Sequence, residues 1–167
     1  VEGYTDVIQF HQKGINNVVS SSGTALSSNQ IMLVKRLTEN ITIIFDRDQA
    51  GISAALRGID LILEHGMNVR ICKLDEGEDP DSLARKHSLD YINDYISSNS
   101  LDFINFKASL LAKQYENEPT KKAEIVNNIV KSISLVQDVI KRELYVQTCS
   151  KIMKISEDSI FETLSRI

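Results

Sequence analysis

Short apolar runs alternate with stretches of helical period through the first 90 residues. Val1 closes one apolar run. Tyr4 to Lys13 reads as a helix, with Val7, Ile8 and His11 on one side and Gly14 as its stop. Ile15 to Ser20, centred on Val18 and Val19, reads as a strand, and the loop SSSGTALSS follows. Ser28 suits the cap of a helix reaching Lys35 to Thr38, with Ile31, Val34 and Leu37 at helical spacing. Ile41 to Phe45 is a nearly continuous β-branched run, the pattern of a strand covered on both faces. From Ala50 to Glu64, residues Ile52, Leu56, Ile59 and Leu63 form one apolar stripe, ended by Gly66. Met67 to Leu74 alternates as a strand through Met67, Val69 and Ile71. The acidic loop DEGEDPDS then leads into a short helix from about Asp81 to Lys86.

Strands alternating with helices predict an α/β fold: a parallel sheet with helices on both faces. Ligands of such sheets sit outside the carboxyl ends of the strands. Three predicted strands lead into acidic residues: Glu2 after Val1, Asp46 and Asp48 after Phe45, and Asp79 and Asp81 after Leu74. All three should open on one edge. Beyond Asp90 only helical patterns follow: Asp90 to Ile96, Leu101 to Tyr115, Pro119 to Leu135, Asp138 to Met153 and Glu157 to Arg166. Ile104, Ala108, Leu111 and Tyr115 form one stripe; Val126, Val130 and Ile133 form another. Pro119 suits a first helical turn and Ser156 a cap. The expected organisation is an α/β domain over residues 1–90 and a small helical bundle over 91–167.

Charge sharpens this division. Residues 1–90 hold 9 Lys/Arg against 13 Asp/Glu, a net −4; residues 91–167 hold 10 of each. The chain's whole negative excess therefore lies in the α/β part, whereas a surface built to grip phosphate backbones directly would be basic. The 167 residues, 42% hydrophobic and 25% charged, suffice for a buried core, and no apolar run approaches membrane-spanning length. Val1 is not a methionine, and the apolar start reads as part of a longer protein. Cys72 and Cys149 stand far apart in apolar stretches and read as buried thiols in a reducing compartment. His11, His65 and His87 lack zinc-ligand spacing, and neither a GxSxG elbow nor a phosphate-binding glycine loop is present.

The chemistry therefore rests on carboxylates. In IIFDRDQAG, Asp46 and Asp48 are separated by one residue, so on an extended backbone they point the same way. Their oxygens then suit Mg²⁺, which keeps several waters and bridges to substrate phosphates. The competing reading is a turn in which Asp48 caps the next helix. Arg47 is either a phosphate contact or a solvated charge. Glu2 precedes Gly3, which permits close backbone approach, but a glutamate there could equally open a helix. Asp6, one turn on, either faces the same pocket or is an exposed helix residue. In EDPDSLARK, Asp79 can cap and Pro80 begin a helix while Asp81 faces outward.

VEGYTDVI, IIFDRDQAG and GEDPDSL, in this order and at these separations, resemble the Toprim module of bacterial DNA primases, the DnaG family. The SSSGTALSSNQ loop fits the same pattern. The resemblance covers about residues 1–90; the helical remainder is similar only in length and periodicity to the subdomain that follows. The resemblance implies that Glu2, Asp46 and Asp48 are the catalytic and metal-holding residues, binding Mg²⁺ or Mn²⁺. Asp6, Asp79 and Asp81 would complete the acidic patch. It implies synthesis of short RNA primers from NTPs on a single-stranded DNA template, by a monomer in the bacterial cytoplasm. The family's zinc domain, its basic template-binding half and its replicative-helicase contact would lie in regions outside this chain, leaving the chain alone inactive. Alternatives are another Toprim enzyme (an OLD-type nuclease or a topoisomerase) or a non-catalytic Toprim scaffold.

Overall fold

The computed structural model describes residues 1–22, 26–45, 49–115 and 118–167, with the side chains of 49 and 111–115 excepted. A three-stranded sheet forms its centre. Strands β1 (Asn40–Ile44) and β2 (Asn68–Cys72) run parallel, pairing Ile41 with Val69 and Ile44 with Cys72. The connection between them is α3 (Gln49–Glu64), whose Ile59 and Leu63 are buried as the stripe predicts. Gly66 ends that connection at φ +71°, a left-handed turn that a side chain would strain. A third strand, β3 (Ser100–Asp102), pairs antiparallel with β2. This corrects the expectation of no strand beyond Asp90. Only three residues extend here, too few for any alternating pattern to register.

Helices cover both faces. On one face α1 (Tyr4–Gln12), α4 (Pro80–Lys86) and α5 (Leu89–Asn99) bring Phe10, Leu83, Ala84 and Ile92 onto Ile44, Cys72 and Leu74. On the other face lie α2 (Ser28–Lys35), α3, α6 (Phe103–Tyr115), α7 (Pro119–Ser134), α8 (Val139–Met153) and α9 (Glu157–Leu164). Their core includes Ile31, Ile59, Ile104, Val126, Val130, Ile133, Val146 and Ile160 against Val69 and Ile71. Because strand side chains alternate between faces, Ile71 and Cys72 serve opposite cores. β3 and α5 belong with the sheet, and the purely helical portion starts at α6.

Helix boundaries follow their caps. Ser27, not Ser28, caps α2 and accepts from the Gln30 amide, while Ser88, Asp138 and Ser156 cap α5, α8 and α9. Three further expectations are corrected. Ile15–Ser20 is not a strand: Val19 and Ser21 make one rung with Val1, and Gly3 then turns the partner segment into α1. On α1 the buried positions are Asp6 and Phe10, whereas Ile8 is exposed. On α2, Ile31 is buried but Leu37 lies past the helix end and is exposed. The stripe positions Leu111 and Tyr115 lie outside the described side chains.

Candidate active site

The parallel register of β1 and β2 puts their carboxyl ends side by side. Buried Ile44 and Phe45 lead out of β1 toward 46–48, and β2 leads through buried Leu74 to the 75–79 loop. Val1, next to Glu2 in the chain, packs against the cluster of Ile44, Cys72 and Leu74. Asp46, Arg47 and Asp48 themselves lie outside the described residues, so the central pair of carboxylates has no geometry here.

The remaining acids divide by what already holds them. Glu2 is partly buried and engaged with its surroundings, and its carbonyl accepts from the Ser22 amide at 3.0 Å. Asp6 is spent on its own helix: its carboxylate accepts from the Gly3 amide at 2.9 Å. A Cβ on Gly3 would come within 3.3 Å of that carboxylate, so the glycine permits the close approach. Asp79 caps α4, its Oδ1 accepting from the Ser82 amide at 2.6 Å, with Pro80 in the first turn. Asp81 is held differently. One oxygen, Oδ2, pairs with Arg85 Nε at 2.9 Å; the other, Oδ1, is buried and has no hydrogen-bond partner among the described residues.

A lattice of short contacts stiffens this loop. Lys86 binds Glu78 at 2.6 Å and Ser82 donates to the same carboxylate at 2.5 Å, and together they hold its carboxyl below the usual glutamate range. The Tyr95 hydroxyl accepts from the Asp75 amide at 3.0 Å and donates to the Lys73 carbonyl at 3.3 Å, pinning the exit of β2. Burial, with Asp75 close by, pushes Tyr95 up to about 12. Sequence reasoning left Arg85, Lys86 and Tyr95 aside. Arg85 had a legible signal, its i,i+4 spacing from Asp81 on one helix.

Among the described residues no group of three or more His, Cys, Asp or Glu side chains is arranged to hold a metal ion. The donor set nonetheless fits a hard cation. It offers carboxylate oxygens, and the Oδ1 of Asp81, buried and without a partner among the described residues, bears the cost of a polar atom removed from water. Among those residues, too, no helix is long and apolar enough to cross a membrane.

A second charged constellation lies on the opposite face of the sheet from α4. Lys107 of α6 is 2% exposed and directs its ammonium at Asp60 of α3 (3.0 Å) and at Asn128 (2.9 Å) and Ser132 (2.5 Å) of α7. Ser132 in turn donates to Asp60. The signal for it was a lysine set inside the apolar stripe of Ile104 and Ala108.

A family model described as Toprim-like matches residues 1–84, and one described as the DnaB-helicase binding domain of primase matches residues 105–158. The second match falls on α6–α8, whereas the expectation had put the helicase contact outside the chain. The chain is 36% identical over 168 residues to a DNA primase of Clostridium acetobutylicum, covering 99% of itself but 28% of that relative. A crystal structure of a DNA primase domain from Pseudomonas aeruginosa superposes with a TM-score of 0.83 at 32% identity, over 99% of this chain and 53% of that one. A DnaG primase catalytic domain bound to single-stranded DNA superposes with a TM-score of 0.77 at 30% identity, over 90% and 50%. The chain thus spans about a quarter of the relative's length and half of each solved chain. Matched by a Toprim-like model over half its length and by primases along nearly all of it, the chain belongs to the Toprim-like family, among the bacterial DnaG-type DNA primases.

Proposed function

We propose that this chain supplies the metal-holding part of a DNA-directed RNA polymerase that makes short RNA primers on single-stranded DNA. The observation that carries the reading is the parallel register of β1 and β2, whose carboxyl ends lie side by side, together with an oxygen of Asp81 that is buried and, among the described residues, without a hydrogen-bond partner. Glu2, Asp46 and Asp48 would be the principal residues at a Mg²⁺ or Mn²⁺ site, with Asp81 in support. Asp6 and Asp79 serve the edge indirectly, by capping the helices that present it. When bound, the cation supplies positive charge for the phosphates. The chain's own residues shape the pocket: Tyr95 fixes the exit of β2, and Lys86 with Ser82 fixes Glu78. The reaction is attack of a primer 3′-hydroxyl on the α-phosphate of an NTP, with loss of pyrophosphate.

The acidic balance of residues 1–90 supports placing the template-gripping basic surface, and any zinc, elsewhere in the protein. The match over 105–158 supports docking of a replicative helicase on α6–α8, and it favours a primase over a nuclease, a topoisomerase or a scaffold. The enzyme would act as a cytoplasmic monomer, and this chain alone would make no primers. The test is Asp46→Asn and Asp48→Asn in the intact protein. Primer synthesis should fall at least ~100-fold, with weakened Mn²⁺ binding. Unchanged synthesis and binding in both variants would sink the reading.

A further inference from the structure

We propose that Arg85 is a positioning residue that tunes how tightly the acidic edge holds a divalent cation. It acts as a resident counter-charge on Asp81, in competition with the metal. The inference rests on the metal reading above and extends it to a residue which that reading leaves out.

The geometry of one carboxylate carries it. Asp81 divides its oxygens: Oδ2 faces Arg85 at 2.9 Å, and Oδ1 is buried and unpartnered among the described residues. Arg85 is 65% exposed at its side chain and, among the described residues, meets Asp81 through Nε alone, so it holds Asp81 loosely. Two effects of opposite sign follow. Orienting a ligand carboxylate favours the metal, but an exposed i,i+4 pair fixes a rotamer by only about a factor of two. A unit positive charge several ångströms from a divalent cation disfavours it by roughly tenfold in a water-like dielectric at low salt. Repulsion therefore wins, and Arg85 weakens metal binding. Lys86, one residue on, is committed to Glu78 and does not share the role. Anionic phosphates arriving at the edge would draw on the same guanidinium, so the repulsion eases when a triphosphate is present. The cation is then held best with nucleotide rather than ahead of it.

The test is Mn²⁺ binding by the intact protein, followed by the free-ion electron paramagnetic resonance signal without nucleotide. Arg85→Gln should bind Mn²⁺ three- to tenfold more tightly than wild type at low salt, and the gain should shrink toward unity in half-molar salt. Arg85→Lys, which keeps the charge, should bind as wild type does. Equal or weaker binding by Arg85→Gln at low salt would overturn the proposal, as would a gain indifferent to salt. Asp81→Asn separates the two readings. If it leaves Mn²⁺ binding unchanged, the assignment of Asp81 to the metal edge falls and this inference with it. If it weakens binding while Arg85→Gln matches wild type, only the role of Arg85 falls.

Discussion

Two aspartate–cation pairs sit on opposite faces of the same sheet and are built to different standards. Asp60 and Lys107 join α3 to α6 and α7, and each of the three protons of the Lys107 ammonium has an oxygen to meet. Lys107 is almost wholly enclosed. Asp81 and Arg85 lie on one short helix, meet through a single nitrogen, and leave one carboxylate oxygen unmet. A buried pair survives only if every donor and acceptor is satisfied, since each ion has lost its water. The exposed Arg85 is under no such demand, whereas the buried Oδ1 of Asp81 is. The first arrangement holds helices in register. The second leaves capacity for something else to bind.

The sharpest way to break the comparison is at Lys107. Lys107→Ala would strand Asp60, Ser132 and Asn128 together, and stability to denaturant should fall by about 3–5 kcal/mol. Lys107→Met fills the space but strands the same acceptors, so it should recover only the packing part of that loss. The contrast with pH is also signed. Burial lowers the Lys107 pKa from its ordinary 10.5, outweighing the pull of Asp60. Below the lowered value the ammonium is protonated in folded and unfolded chains alike, and the desolvation cost is present in full. As pH rises toward 10.5 the folded state sheds its proton first, and stability recovers. Wild type should therefore gain on Lys107→Met as pH climbs toward 10.5, measured by paired denaturation curves; a gap that widens in favour of the methionine variant would contradict this. Next in size is Asp79→Ala, which removes the α4 cap and should cost about 1 kcal/mol, whereas Asp79→Asn keeps the cap at a few tenths. The smallest effect should be Arg85→Gln on thermal or denaturant stability, within about 0.5 kcal/mol, because the pair is exposed. A larger loss would show that Arg85 braces the fold and would erase the distinction between the two pairs.

The α3 stripe, the β1 run and the caps at Asp79 and Ser156 were legible in the sequence because each is local. A period, a β-branched run or a capping side chain fixes its own few residues. So was the parallel pairing of β1 and β2, since two strands joined by a crossover helix run the same way. The failures have a common cause. Val19 looks like a strand residue, but its partner offers a single rung; β3 looks like a helix entry, but β2 has an open side. Pairing depends on what lies across space, and propensity along the chain is silent on that. Likewise Asp6 looked like either a pocket acid or an exposed helix residue, and only the structure shows its carboxylate accepting from the Gly3 amide.

The sequence by itself determined the class of the molecule: an α/β sheet followed by helices, with the acidic excess in its first 90 residues. Residue type and spacing suffice for that. Only the tertiary structure decided which acids remain available, because a carboxylate's availability is set by the donors around it. It also decided that Lys107, a lone lysine in an apolar stripe, ties the helices to the back of the sheet through Asp60. Both outcomes turn on side chains from distant segments arriving within hydrogen-bond reach, where burial removes water and every polar atom must find a partner or go without.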